Sequence, residues 1–112
     1  MESILTSVKK MLGPSMQDDY FDPDIIMHIN TTFFTLKQLG VGPEEGFFIE
    51  DASTTWNEFI DDPVKCNPVK SYMYAKVRLI FDPPQNSGVK QCLENTVSEY
   101  EWRLKHEVEL QS

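Results

Sequence analysis

The sequence predicts an all-α fold: a small bundle of four to five helices with a long C-terminal helix. Three observations carry that expectation. Apolar residues recur at three- and four-residue spacing in separate segments. Asp-Pro, Asn-Pro and Gly-Pro pairs punctuate the gaps between them. Loops are short, and no linker divides the 112 residues, which read as one helical domain spanning residues 1–112. One departure is expected, a short β-hairpin near residues 47–54, starting at "FFIED".

The elements follow in order. A short amphipathic helix covers about Ser3–Leu12, with Ile4, Leu5, Val8 and Leu12 on its apolar side. Gly13-Pro14 ends it. A second helix opens at "FDPDII". Asp22 is the expected N-cap, Pro23 suits the first helical position, and Asp24 adds charge that the helix dipole favours. Ile25, Ile29, Phe33 and Leu36 share one face, with Ile26 beside them, and Gly40 is the expected C′ residue after Leu39. In "ASTTWNEFI", Ser53 or Thr54 caps a short helix, and Glu58 stands within reach of the Thr55 region. Asp61-Asp62-Pro63 reads as a helix-ending turn. A further helix then starts at "NPVKSYMYAKVRLIF", with Asn67 as cap and Pro68 first inside. Its stripe is Val69, Met73, Val77 and Ile80, widened by Tyr72, Leu79 and Phe81. So wide an arc predicts a central helix, which Asp82-Pro83-Pro84 stops. The last helix runs from about Gly88 to Leu110 after a cap at Asn86 or Ser87. Val89, Leu93, Val97, Tyr100, Leu104 and Val108 form its stripe. Glu99–Arg103 and Glu101–Lys105 are i,i+4 pairs in the favourable order.

Composition narrows the function classes. The chain is 40% hydrophobic and 25% charged. No apolar run approaches the roughly 20 residues that span a bilayer, and no signal-peptide core stands at the N-terminus, so a protein made and kept in a cytoplasm is expected. Cys66 and Cys92 form no C-x-x-C and imply no disulfide framework. The net charge of −8, without a Lys/Arg run, disfavours holding DNA or RNA. Asn30-Thr31-Thr32 matches a glycosylation sequon inside the expected second helix.

No motif points to a reaction, and no cofactor is expected. The glycines of "LGVGPEEGF" (Gly40, Gly42, Gly46) follow a helix rather than a strand. Pro43 offers no N–H, and Glu44 and Glu45 repel phosphate, so this is turn chemistry. Asp18, Asp19, Asp22 and Asp24 lack EF-hand spacing and read as a solvated loop entering a helix. His28 and His106 show no zinc spacing to either cysteine, and His28 reads as a packed or edge histidine. No metal site is expected, and catalysis is not.

Bulky groups off the core stripes are what is left. Met27 and Phe34 point away from the Ile25–Leu36 face, with an internal contact on a central helix as their plain reading. Trp102 stands nearly opposite Val97 and Leu104; a protein interface and a second internal packing contact read equally well for it. The candidate interface residues are Met27, Phe34, Trp102, His106 and Leu110.

"FDPDIIMHINTTFFTLKQLGVGPEEGF", "TTWNEFI", "VKSYMYAKVRLIFDPP" and "EYEWRLKHEVEL" together resemble the head–tail connector (adaptor, head-completion) proteins of tailed phages and prophages of Gram-positive bacteria. The similarity spans about residues 20–110, and "INTTFFTLKQLGVGP" and "KVRLIFDPP" are its most specific parts. The resemblance implies a small α-helical virion protein, assembled in the host bacterial cytoplasm and without enzymatic activity. It implies self-association into a ring, dodecameric on the portal protein. That ring continues the DNA channel and offers a docking surface for the next head-completion (stopper) or tail protein. DNA would pass through unbound, and no membrane is involved. No site residues carry over from the family. The alternative is a small cytoplasmic helical adaptor or regulator that binds one protein partner. A third and weaker reading is a metal enzyme built on Asp18, Asp19 and His28.

Overall fold

The computed structural model describes residues 2–16 and 18–111. It is all-α, with five helices: α1 (Ile4–Leu12), α2 (Asp22–Gln38), α3 (Trp56–Phe59), α4 (Pro63–Phe81) and α5 (Ser87–Gln111). A 3₁₀ turn, Pro14–Met16, follows α1.

Each helix end has a local chemical cause. The Ser3 hydroxyl accepts the Thr6 amide at 3.2 Å and starts α1. The end of α2 is a Schellman motif. The Gly40 amide donates to the Lys37 carbonyl and the Val41 amide to the Leu36 carbonyl, both at 2.9 Å, with Gly40 at φ 88°. Asn86, the first of the two expected caps, starts α5: its side-chain oxygen accepts the Gly88 and Val89 amides. Thr55 rather than Ser53 or Thr54 stands at the N-cap of α3, and Glu58 reaches back to the Thr55 amide at 2.7 Å.

Three boundaries differ from the sequence reading. Asp22 is the first residue of α2, not its cap; Phe21 precedes the helix without a side-chain cap bond. The Asp22 carboxylate turns instead to Lys9 of α1, 2.8 Å away. Asp62-Pro63 does not end a helix. It starts α4, with the Asp62 carboxylate accepting the Val64 amide at 2.9 Å. Asn67 and Pro68 therefore lie inside α4, where Pro68 withholds the amide that would bond the Val64 carbonyl.

The hairpin near residues 47–54 is absent: among the described residues there is no strand or sheet, and the one β-bridge joins Ser3 and Thr55. What looked like strand sequence is an extended segment bracketed by a side chain. Asn30 of α2 donates to the Ile49 carbonyl at 2.9 Å and accepts the Ile49 amide at 2.8 Å. One side-chain amide supplies both bonds that a neighbouring strand would have made. Phe47 and Ile49 then pack inward, while Phe48 between them is exposed.

α4 is the central element and packs on α1, α2, α3 and α5. The core beneath it joins Ile4, Leu5 and Val8 to Ile25, Ile29, Phe33 and Leu36 and to Val69, Tyr72, Met73 and Val77. Phe33 stacks tilted on Phe59, with ring centroids 4.7 Å apart, and edge-on to Phe47 at 5.1 Å. Trp56 is 1% exposed and its indole N–H donates to the Ser7 hydroxyl at 2.9 Å, so its polar atom is satisfied inside the core. Ile80 and Val89, expected in apolar stripes, are exposed near the α4–α5 turn, where no further helix covers them.

The glycine loop is filled by protein. A Cβ on Gly42 would come within 2.5 Å of the Phe59 ring, and one on Gly40 within 2.9 Å of Val108. Its backbone is spent on turning and on close approach to neighbouring side chains.

Candidate protein-interaction surfaces

α5 runs antiparallel to α4, joined to it by the turn around Asp82-Pro83-Pro84. It rests on α4 through Val97 and Leu104. A polar contact stands between them in sequence: the Tyr72 hydroxyl donates to Glu101 Oε2 at 2.7 Å, and Lys76 Nζ lies 3.5 Å from the same oxygen. Glu101 thus serves the α4 contact, not the expected i,i+4 pair with Lys105. Burial, then the hydrogen bond and the charge of Glu101, push the Tyr72 phenol well above the usual tyrosine range. Burial likewise raises Tyr74 and the Cys66 thiol. The expected Glu99–Arg103 pair is present on the solvent side at 2.6 Å.

The face of α5 away from α4 carries Trp102, His106 and Leu110, one helical turn apart. Trp102 is 66% exposed and Leu110 70%. The His106 ring stacks on Trp102, with centroids 5.0 Å apart and planes 9° from parallel. The pair forms a flat aromatic ridge on the exposed side of α5. Trp102 thus stands on the solvent side of α5, and its one ring contact among the described residues is to His106 of the same helix.

On α2, Met27 and Phe34 are 56% and 59% exposed, so more than half of each faces solvent rather than the interior. Two exposed apolar surfaces therefore stand on separate helices.

A groove went unread in the sequence. It has a volume of about 640 Å³ and lies beneath the C-terminal half of α5. Val41, Val64, Pro68, Tyr100, Leu104 and Val108 line it, with Lys65, Arg103 and Glu107 among its charged residues. Val64 is the missed signal, an exposed apolar residue in the first turn of α4 that lines the groove together with Pro68 and Val69.

The residues of the metal-enzyme reading do not converge. The Asp18 carboxylate accepts the Tyr20 amide at 3.0 Å, closing a local turn. His28 packs near the Phe81 ring, with centroids 6.0 Å apart. Among the described residues, no three His, Cys, Asp or Glu side chains are placed to hold a metal ion. None of the described helices is long and apolar enough to cross a membrane.

Fold and surface define a class: a small helical bundle that displays apolar ridges instead of burying them. Within that class the chain belongs to the phage connector protein family, whose model matches residues 4–111. It is thus a structural connector component of a phage particle, in a family not known for catalysis. No curated protein and no solved structure matches it.

Proposed function

We propose that this connector protein assembles as a ring beneath the portal, continues the DNA channel, and presents a docking surface to the next head-completion or tail protein. Membership of the family supplies the connector role. The observation that carries the assembly reading is the Trp102–His106–Leu110 ridge, standing opposite the face by which α5 grips its own bundle. Flat aromatic anchors at such positions commonly dominate binding energy. Subunits of a closed ring meet head to tail through two different patches. The chain offers more than one, in the α5 ridge and the groove under α5. A net charge of −8 suits a lumen through which DNA slides without sticking.

The test mixes the purified chain with its portal and images the product. The expected result is an added ring of density below the portal, lost with Trp102→Ala. Absence of a ring, together with tailed infectious particles from a phage lacking the gene, overturns the reading.

A further inference from the structure

The two tryptophans differ in the fate of one polar atom. The indole N–H of Trp56 donates to the Ser7 hydroxyl inside the core. That of Trp102 has no partner among the described residues, and its ring is exposed. An aromatic anchor that enters an interface carries such an N–H with it, and burial then demands an acceptor. The same molecule holds an acceptor in the matching state. Pro68 stands inside α4 and has no amide, so the Val64 carbonyl lacks the bond an α-helix gives its interior carbonyls. No side chain among the described residues supplies a substitute donor.

That carbonyl opens onto the groove under α5. In a helix the i→i+4 bond lies between the side chains of its two residues, and both Val64 and Pro68 line the groove. Tyr100, Leu104 and Val108 of α5 line it from the other side. Its volume of about 640 Å³ falls in the range of cavities that bury small ligands, so an indole is well within its size. Val64, 78% exposed, is left as an uncovered apolar side chain on its wall. The charged lining residues, Lys65, Arg103 and Glu107, include both signs, so the groove selects by its apolar walls and its acceptor. Groove and ridge cannot meet within one copy. Tyr100 and Leu104 each stand about 160° round α5 from Trp102.

We propose that the Trp102 ring of one copy enters the groove of the next, with its indole N–H donating to the Val64 carbonyl there. This names the contact between subunits, and it rests on the ring reading above. The two surfaces match in kind: a flat apolar body carrying one donor meets an apolar groove carrying an unmet acceptor. Pro68 gains a role that its cost to the helix otherwise leaves unexplained, because it keeps that acceptor unspent. The contact is heterologous. The two patches lie on opposite sides of α5, so a neighbour seated on the ridge leaves the groove open for another copy. The contact therefore propagates from copy to copy, as a ring requires. A two-fold dimer, with each copy filling the other's groove, would have to present both sides of α5 to one neighbour.

Titration of the portal with the full chain, with ring occupancy counted by electron microscopy, tests the pairing through a double-mutant cycle. Trp102→Phe keeps an aromatic ring and removes the donor. Pro68→Ala restores the helix amide and removes the acceptor. It should leave the urea midpoint unchanged or higher, because alanine suits a helix interior better than proline. Each single variant should raise the concentration for half-occupancy about three- to tenfold, as for the loss of one neutral hydrogen bond. The double variant should be no worse than either alone, because donor and acceptor are two ends of one bond. A second measurement is independent of these substitutions. With the exposed Cys92 replaced by serine, Lys65→Cys and Lys105→Cys chains mixed on the portal should cross-link to each other through a short bismaleimide. Wild-type rings with losses that multiply in the double variant would assign Trp102 to the portal or tail protein and overturn the pairing alone. Rings indifferent to both single variants, or rings without the mixed cross-link, would do the same. No ring from the wild-type chain would overturn the ring reading itself, and the pairing with it.

Discussion

α4 and α5 are neighbours in one helical hairpin, yet they meet the rest of the protein differently. α4 is touched by every other α-helix and buries Cys66, Val69, Tyr72, Met73, Ala75 and Val77. α5 is longer, with 25 residues, but buries only Val97 and Leu104. Both sequences carry an apolar stripe at helical spacing. A stripe marks the side a helix will bury; the number of neighbours decides how much of it is buried. The interior helices hold the fold, and α5 is free to present its other side.

Substitutions should separate the two regions by size of effect. Phe33→Ala removes a ring locked between Phe47, Phe59 and Trp56, and should cost about 3–5 kcal/mol in urea unfolding. In α5, Leu104→Ala should cost only about 2 kcal/mol, the low end for buried leucine. Hydrogen exchange should then show α5 opening before α2 and α4. Simultaneous opening of all three helices would break the comparison. Asn30→Ala strips the bracket from Ile49 and should cost about 1–3 kcal/mol.

Tyr72→Phe should cost about 1 kcal/mol at neutral pH, because it removes a bond to a charged group from the α4–α5 contact. Its pH dependence has a definite sign. The folded-state phenol lies above its unfolded value of about 10. Its contribution is thus fully present below pH ~10 and declines as pH rises beyond it. Tyr72→Phe should flatten the alkaline loss of stability, leaving the part due to Tyr74, which is raised in the same direction. Smallest of all, Trp102→Ala should change stability by less than about 0.5 kcal/mol, as for an exposed side chain without structural partners beyond its own helix. A large loss there would make the ridge part of the fold and end its candidacy as an interface.

Much of this was legible in local sequence. Gly40 announced the end of α2 because its left-handed conformation and the two backbone bonds around it depend on a few adjacent residues. The start of α4 was misread for a reason within the same rule: Asp62-Pro63 and Asn67-Pro68 carry the same signal, five residues apart, and the first took the cap. The expected hairpin failed for the opposite reason. Asn30 lies 19 residues from Ile49, and nothing near "FFIED" reveals that a helix will satisfy its backbone. The ridge residues were found by angle alone. Their exposure, like the groove beside Val64, depends on which neighbours arrive, and spacing along one helix does not encode that.

Gly42 shows what close approach means for substitution. It is an exposed loop residue, yet its missing side chain is the space into which the Phe59 ring fits, and Phe33 and Phe47 hold that ring in place. Variation at the surface is usually tolerated because solvent yields; here the boundary is a ring packed among other rings. In a mutational scan this outward-facing position would share the intolerance of the hydrophobic interior, and a homologue with a larger residue at the same place would need a smaller one at position 59.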